Sequence, residues 1–385
     1  MTDNTLKVSV KQKFIGEERN LFIINYPLQL LNAMEAQKYF KTKNNILVIF
    51  YFEGQENNYK QLIKLIELFD YTKLIIYQKK SMDFMISLIK EIQQEKYVKV
   101  FTGFFSLISR RLIANTTYKV LYLVDDGVYS IAIHNQLYSH NTQGYKNYIT
   151  THLEHEHTSV FKQLSFSIYY HFRKTYLSLL GYKNDMNSMN LSFYTIFDLP
   201  QYRDEIIIEN NYKFLNLHYH NKNNIIHREG NLKSSDTIYF LGQPLYNVLP
   251  INYAQYLSYL QSIFSLYVQN KQNLIYIPHR GEEEKTFKDI QKLYPKFIEV
   301  RKLSEPFELY LLENDIPINH LASFVSSALF TVKKLYPNVT IDAFSFPIKG
   351  KAEKNVLLIH SMLEKIGTNL LEITPNNTIK KKDTL

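Results

Sequence analysis

The chain has 385 residues, no cysteine, 45% hydrophobic and 15% aromatic residues, and a formal net charge of +9. That length exceeds one ordinary hydrophobic core, so two domains are expected, and the composition is that of a folded chain rather than a disordered one. The absence of cysteine excludes a disulfide framework, a thiolate nucleophile and a Cys-ligated zinc or iron–sulfur centre, and fits a cytoplasmic location.

The positive balance suits nucleic acid, an anionic membrane surface or an anionic small substrate alike. Its lysines are scattered among asparagines, isoleucines and tyrosines, a mixture that AT-rich coding produces without selection for binding, so no nucleic-acid partner is expected. The opening residues MTDNTLKVSVKQKFIGEERN lack the apolar region of a signal peptide. No uninterrupted apolar run reaches the roughly 18–20 residues of a spanning helix, so a soluble or peripheral protein is expected.

Along the chain, short apolar runs alternate with segments of helical period. NLFIINYP reads as a strand and turn, LQLLNAMEAQKYF as a helix, NILVIFYF as a strand, YKQLIKLIELFD as a helix and KLIIY as a strand. MDFMISLIKEIQQ and SLISRRLIAN read as helices, with YVKVFTG and YKVLYLV extended. The pattern weakens from about residue 140 to 232, where FKQLSFSIYYHFRKTYLSLLGY is the clearest helix. It resumes with DTIYFLGQ, NLIYIPH, KFIEV, HLASFVSS and VTIDAFS extended. Between and after them YAQYLSYLQSIFSLYVQ, EEKTFKDIQKLY, PFELYLLEN, ALFTVKKLY and KNVLLIHSMLEKIGT are helical. Such alternation predicts βαβ units and parallel sheets, whose doubly buried strands look continuously apolar. The fold class expected is α/β, with two Rossmann-like doubly wound domains facing a central cleft. The expected boundaries are residues 1–232, residues 233–355, and a helix with a basic tail over 356–385 that packs back on the first domain.

In doubly wound sheets ligands bind outside the carboxyl ends of the strands, so the chemistry is sought there. Asp125, Asp126 and Gly127 end YKVLYLV. A carboxylate held by a strand end suits a general base, and glycine permits a sharp turn. The plainer use of either acid is to cap the helix-compatible segment that follows. Pro278, His279 and Arg280 end NLIYIPH, ahead of Glu282, Glu283 and Glu284. Histidine suits proton or hydrogen-bond donation near neutrality and arginine suits an anion, while the glutamates read as complements to a helix dipole. Ser326 and Ser327 precede a helix, where backbone N–H groups and two hydroxyls suit a phosphate, or where serine simply caps. A base, a donor for a leaving phosphate and an anion site are the three needs of an inverting nucleotide-sugar transferase.

In order and placement, DDG, PH after a strand and SS before a helix resemble the acidic-acidic-Gly, His-Pro and Ser/Thr motifs of bacterial GT-B sialyltransferases. The lipooligosaccharide sialyltransferase and capsular polysialyltransferase group is the nearer resemblance. NLFIINYPLQLLNAMEA and IYFLGQPL are similar to segments of that group. Here the histidine is preceded by Pro278 and followed by Arg280, a departure from the family's His-Pro. The resemblance implies a GT-B fold and metal-independent, inverting transfer of sialic acid from CMP-sialic acid to a glycan acceptor, with no cofactor. By the same resemblance Asp125 is the base, with Asp126 and Gly127 in support, and His279 assists departure of CMP. Ser326 and Ser327 then hold its phosphate, Arg280 assists there, and Glu308 contacts the ribose. Gly242 and Gln243 line the nucleotide side, and Asn25 faces the donor sugar or acceptor. Kdo and pseudaminic acid, also CMP-activated, would use the same machinery.

Two other readings compete. THLEHEH gathers His152, Glu154, His155, Glu156 and His157, but its spacing is not that of HExxH, so a solvated face and no metal are expected. The basic aromatic segment FKQLSFSIYYHFRKTYLSLLGY and Lys380, Lys381 and Lys382 suit contact with the inner face of an anionic membrane, for a transferase or for a non-catalytic α/β binding protein.

Overall fold

The computed structural model describes residues 7–10, 18–51, 54, 56–77, 81–138, 160–186, 190–223, 237–247, 249, 251–324, 326–347, 352–374 and 378–381. The THLEHEH cluster lies outside them. The chain divides into two compact units, Met1–Asn210 and Asn211–Leu385.

Unit 1 holds strands β1 (Lys7–Val10), β2 (Arg19–Ile24), β3 (Asn45–Phe50), β4 (Lys73–Tyr77), β5 (Lys96–Thr102), β6 (Thr117–Val124), β7 (Ser192–Thr195) and β8 (Ile207–Glu209). Its helices are α1 (Pro27–Tyr39), α2 (Glu56–Ile66), α3 (Met82–Gln93), α4 (Leu107–Ala114), α5 (Tyr129–Tyr138) and α6 (Val160–Leu179). The sheet runs β1-β4-β3-β2-β5-β6-β7-β8, with β1 antiparallel and the other pairings parallel. From β4 to β7 this is the doubly wound order 3-2-1-4-5-6, which reverses between β2 and β5.

The expected physical causes are visible. All six residues of β3 are buried, as a strand covered on both faces requires. Pro27 occupies the first turn of α1, where its missing N–H costs nothing. Ser81 and Ser106 cap α3 and α4 by accepting from the backbone N–H groups of Phe84 and Ser109. The return from α6 is fastened to α4 by a two-point Arg110–Asp185 pair at 2.9 and 3.1 Å and by buried Arg111 on Asn184.

Unit 2 holds β9 (Thr237–Leu241), β10 (Asn273–Ile277), β11 (Ile298–Val300), β12 (His320–Ser323), β13 (Thr340–Ser345), β14 (Asn369–Ile373) and β15 (Ile379–Lys381). Its helices are α7 (Lys213–Asn223), α8 (Tyr253–Gln269), α9 (Glu284–Leu293), α10 (Phe307–Glu313), α11 (Ser327–Leu335) and α12 (Ala352–Lys365). The sheet order β11-β10-β9-β12-β13-β14-β15 repeats the same winding and reverses between β9 and β12. Phe240, Phe264, Tyr276 and Phe344 form part of its core, each ring contributing about 1.5–3 kcal/mol on burial. The protein is therefore α/β, with two Rossmann-like doubly wound units.

The boundaries differ from those expected. The division falls after Asn210 rather than at residue 233, because α7 packs on α10 and so belongs to unit 2. Residues 356–365 belong to α12. β14 pairs in parallel with β13, and β15, from the basic tail, pairs antiparallel with β14.

At the amino ends of the strands of unit 2, buried Asp342 accepts from Tyr267 Oη (2.7 Å) and Asn369 Nδ2 (2.8 Å) and lies 2.8 Å from His320 Nε2. Burial raises its pKa, but His320 foremost, then Asn369 and Tyr267, outweigh that and hold it below the usual value. A depressed carboxylate pKa adds stability above the unfolded value near 4 and loses it as pH falls through the folded one. Asp342→Ala is expected to lower the melting temperature at pH 7 by an amount worth about 3–5 kcal/mol, and by less at pH 3. Thermal melts at the two pH values check it.

Candidate functional site

In unit 1 the chain leaves β6 at Asp125, turns through Gly127 at a left-handed φ of 66°, and enters α5. Asp125 is 1% exposed. Its Oδ1 accepts from Thr195 Oγ1 at 2.8 Å and its Oδ2 from the Ile196 N–H at 2.7 Å, so the end of β7 fixes the carboxylate on two points. Asn32 of α1 donates to the Asp125 carbonyl at 3.0 Å and accepts from Asn210 at 3.0 Å. Burial drives the Asp125 pKa up to about 7, against the lowering effect of those bonds and with the Asp126 charge adding to the rise. The next residue, Asp126, is only half-buried. The acidic pair thus combines one anchored and one more accessible carboxylate. α5 itself is pinned by buried His134, 3.2 Å from Glu205 Oε1.

Asn25, 9% exposed, follows β2 on the other side of the same strand-end row. Gln29 Oε1 accepts from the Asn25 and Tyr26 N–H groups at 2.8 and 3.3 Å.

In unit 2 the strands around the reversal, β10, β9 and β12, deliver His279, Gly242 and Ser326 at adjacent carboxyl ends. Ser323 Oγ donates to the Leu241 carbonyl at 2.8 Å, tying the ends of β12 and β9 together. Ser326 is the N-cap of α11, its Oγ accepting from Ala328 N–H at 3.3 Å, and Ser327 opens the helix. Both are half-buried. Gln243 follows Gly242 and is half-buried as well.

His279 projects on an exposed turn with Arg280. Its Nδ1 accepts from the Gly281 N–H at 3.1 Å, so the neutral ring carries its proton on Nε2 and presents a donor there. Partial enclosure by its loop, then the Arg280 charge, lowers its pKa to about 4, which keeps the ring neutral at pH 7. Glu308, 5% exposed in the first turn of α10, has its pKa raised by burial, countered by its own backbone N–H. It stands on a helix that packs against α11.

A residue read as dipole complement has a different place. Glu282 is 8% exposed, its Oε1 accepting from Tyr256 and Tyr276 hydroxyls at 2.8 Å each and its Oε2 from the His279 N–H at 2.8 Å. A Cβ on Gly242 would lie 2.1 Å from Tyr276 Oη and 2.5 Å from Glu282 Oε2, so glycine is required where the β9 end passes over this group. Glu283 and Glu284 do occupy the start of α9. The spacing of Glu282 three residues after His279 was the available signal. Thr195 and Asn210 lay in the stretch where the sequence pattern weakens.

No group of three or more His, Cys, Asp or Glu among the described residues is arranged to hold a metal. No protein-family model matches the chain, and no curated protein matches it. Solved structures resemble it over most of its length. A glycosyltransferase from Rickettsia africae ESF-5 is 9% identical over 94% of this chain and 85% of that one, with a TM-score of 0.43. The Methanocaldococcus jannaschii UDP-GlcNAc 2-epimerase in complex with UDP-GlcNAc and UDP is 12% identical over 92% and 89%, with a TM-score of 0.46. An E. coli heptosyltransferase with ADP is 10% identical over 90% and 97%, with a TM-score of 0.38. Likeness at this level says nothing about substrate.

Proposed function

We propose that the chain is a glycosyltransferase that moves sialic acid, with inversion and without a metal, from CMP-sialic acid to a hydroxyl of a glycan acceptor. The observation that carries the reading is the convergence of Gly242, His279 and the Ser326–Ser327 helix start at adjacent strand ends around the reversal of unit 2. One helix N-terminus, two hydroxyls and a neutral imidazole donor match the single phosphate of a CMP-sugar.

In this reading the acceptor oxygen attacks the anomeric carbon as its bond to the phosphate oxygen breaks. The acceptor proton passes to the Asp125 carboxylate, and the negative charge left on CMP is met by His279 Nε2–H, Ser326, Ser327 and Arg280. Gln243 lines the nucleotide and buried Glu308 receives a ribose hydroxyl. The donor sugar is sialic acid by motif order alone, so Kdo and pseudaminic acid are the comparison donors.

Release of CMP from CMP-sialic acid, stimulated by lactose and unaffected by EDTA, is the expected result. His279→Ala is expected to lower kcat about 100-fold with little change in melting temperature, because the ring is exposed. No CMP release with any of the three donors, together with no CMP binding in calorimetry, overturns the reading.

A cytoplasmic place at the inner membrane face is part of the proposal. No helix among the described residues is long and apolar enough to cross a membrane. On α6 and the turn after it Phe172, Tyr176, Leu179 and Leu180 are exposed, close to Lys174 and Lys183. Co-sedimentation with phosphatidylglycerol vesicles at low salt, reduced several-fold by Phe172→Ser with Leu179→Ser, is expected, and no sedimentation at all would remove this element.

A further inference from the structure

Where α3, α4 and α6 meet, unit 1 buries a cation that has no carboxylate of its own. Arg111 of α4 is 0% exposed. Its Nε and Nη2 donate to Asn184 Oδ1 at 3.2 and 2.8 Å, so a neutral oxygen takes the side edge of the guanidinium. The neighbouring carboxylate, Asp185, is engaged on two points by Arg110 at 2.9 and 3.1 Å. Among the described residues no carboxylate pairs with Arg111 itself, and its buried Nη1 meets no hydrogen-bonding partner.

The geometry of the group shows which edge is open. With the Nε edge spent on Asn184, what remains is the end-on fork, Nη1 together with the second proton of Nη2. The two guanidinium bonds also fix the Asn184 amide, whose buried Nδ2 is without a partner as well. Both unmet atoms are donors, so the group lacks acceptors and negative charge. Arg173 of α6, whose Nε donates to Met82 Sδ at 3.3 Å, adds a second positive charge nearby. Burial foremost, then Arg173, lower the Arg111 pKa to about 10 against the smaller lift from Asp185, and the fork is still charged at pH 7.

A guanidinium taken out of water is costly unless an anion faces it, and a water molecule would meet one donor without balancing the charge. An oxyanion on the fork receives two parallel N–H bonds, the geometry arginine favours with phosphate and carboxylate alike. A carboxylate would spend both oxygens on the fork. A tetrahedral anion has further oxygens for Arg173. Full burial of Arg111 favours a free ion over a headgroup that carries acyl chains.

We propose that the end-on fork of Arg111, with Arg173, binds one inorganic phosphate ion between α4 and α6 and so fastens α6 and the turn after it to unit 1. The site does not rest on the transferase reading.

Equilibrium dialysis of the full chain against radiolabelled inorganic phosphate tests it, with saturating CMP present to cover the Ser326 helix start. The wild type is expected to hold about one phosphate per chain. Its melting temperature should rise by about 2–4 °C in phosphate at some ten times the dissociation constant, compared with sodium chloride of equal ionic strength. Arg111→Met should weaken the affinity at least 100-fold and remove the shift, and Arg173→Gln should weaken it about tenfold. Phosphatidylglycerol vesicles should leave the label in place, and displacement by them would assign the fork to a lipid headgroup and overturn the free ion. No retained label in the wild type overturns the site, as does an affinity that survives Arg111→Met, or that survives Arg173→Gln where the first variant does not fold.

Discussion

Asp125→Asn is expected to abolish sugar transfer, with kcat down about 10²–10⁴-fold, while the protein stays folded and binds CMP as before. Asparagine fits the site: its oxygen can accept from the Ile196 N–H while its amide donates to a rotated Thr195 hydroxyl. The pKa near 7 fixes the sign of two pH effects. As a base, Asp125 acts when ionised, so the wild-type rate should climb about tenfold per unit below pH 7 and level above it. A carboxyl whose folded pKa is raised favours the fold while protonated, and that contribution is complete below the unfolded value and lost as pH rises through 7. The variant should therefore melt no lower than the wild type, and higher above pH 7. Asp126→Asn is the paired control, expected to cost less than tenfold. If Asp126→Asn destroys transfer and Asp125→Asn spares it, the accessible carboxylate is the base and Asp125 is the anchor of the strand end.

How much of this the sequence disclosed depends on where the information lies in the chain. Strands such as NILVIF and KLIIY are continuously apolar because helices cover both faces, and that pattern is local. Helix starts at Ser81, Ser106 and Asn252 are local as well. Hence Asp125, His279 and Ser326 could be placed at strand ends from spacing alone. The partners that decide their chemistry are distant: Thr195 lies 70 residues from Asp125, and Tyr256 lies 26 from Glu282. Short edge elements such as β8 and β15, each of three residues, carry too few side chains for a period to show. Glu282 was misread for a related reason. Three successive glutamates before a helix have one obvious electrostatic use, and only the tertiary fold separates the buried first of them from the exposed other two.

That buried first glutamate gives the second large effect. Glu282→Leu would leave the His279 N–H and one of the two tyrosine hydroxyls without an acceptor, since the hydroxyls also bond each other at 3.1 Å, at about 1–3 kcal/mol for each buried group. The melting temperature should fall accordingly. The turn carrying His279 and Arg280 would lose the bond that sets its height above Gly242, so CMP should bind at least tenfold more weakly and kcat should drop with it. Glu282→Gln separates charge from geometry. Its carbonyl can take the His279 N–H while its amide donates to a tyrosine oxygen and the two hydroxyls bond each other, which strands one hydroxyl proton, so the fold should lose about 1–3 kcal/mol while CMP affinity stays near wild type. Burial raises the Glu282 pKa, which also means that neutralising the group removes a desolvation cost rather than a needed charge. Calorimetric titration of CMP into both variants, beside their melts, decides the matter. A Glu282→Leu protein that melts low but binds CMP with wild-type affinity would show that the turn after β10 does not face the nucleotide, and His279 would then lose its role with it.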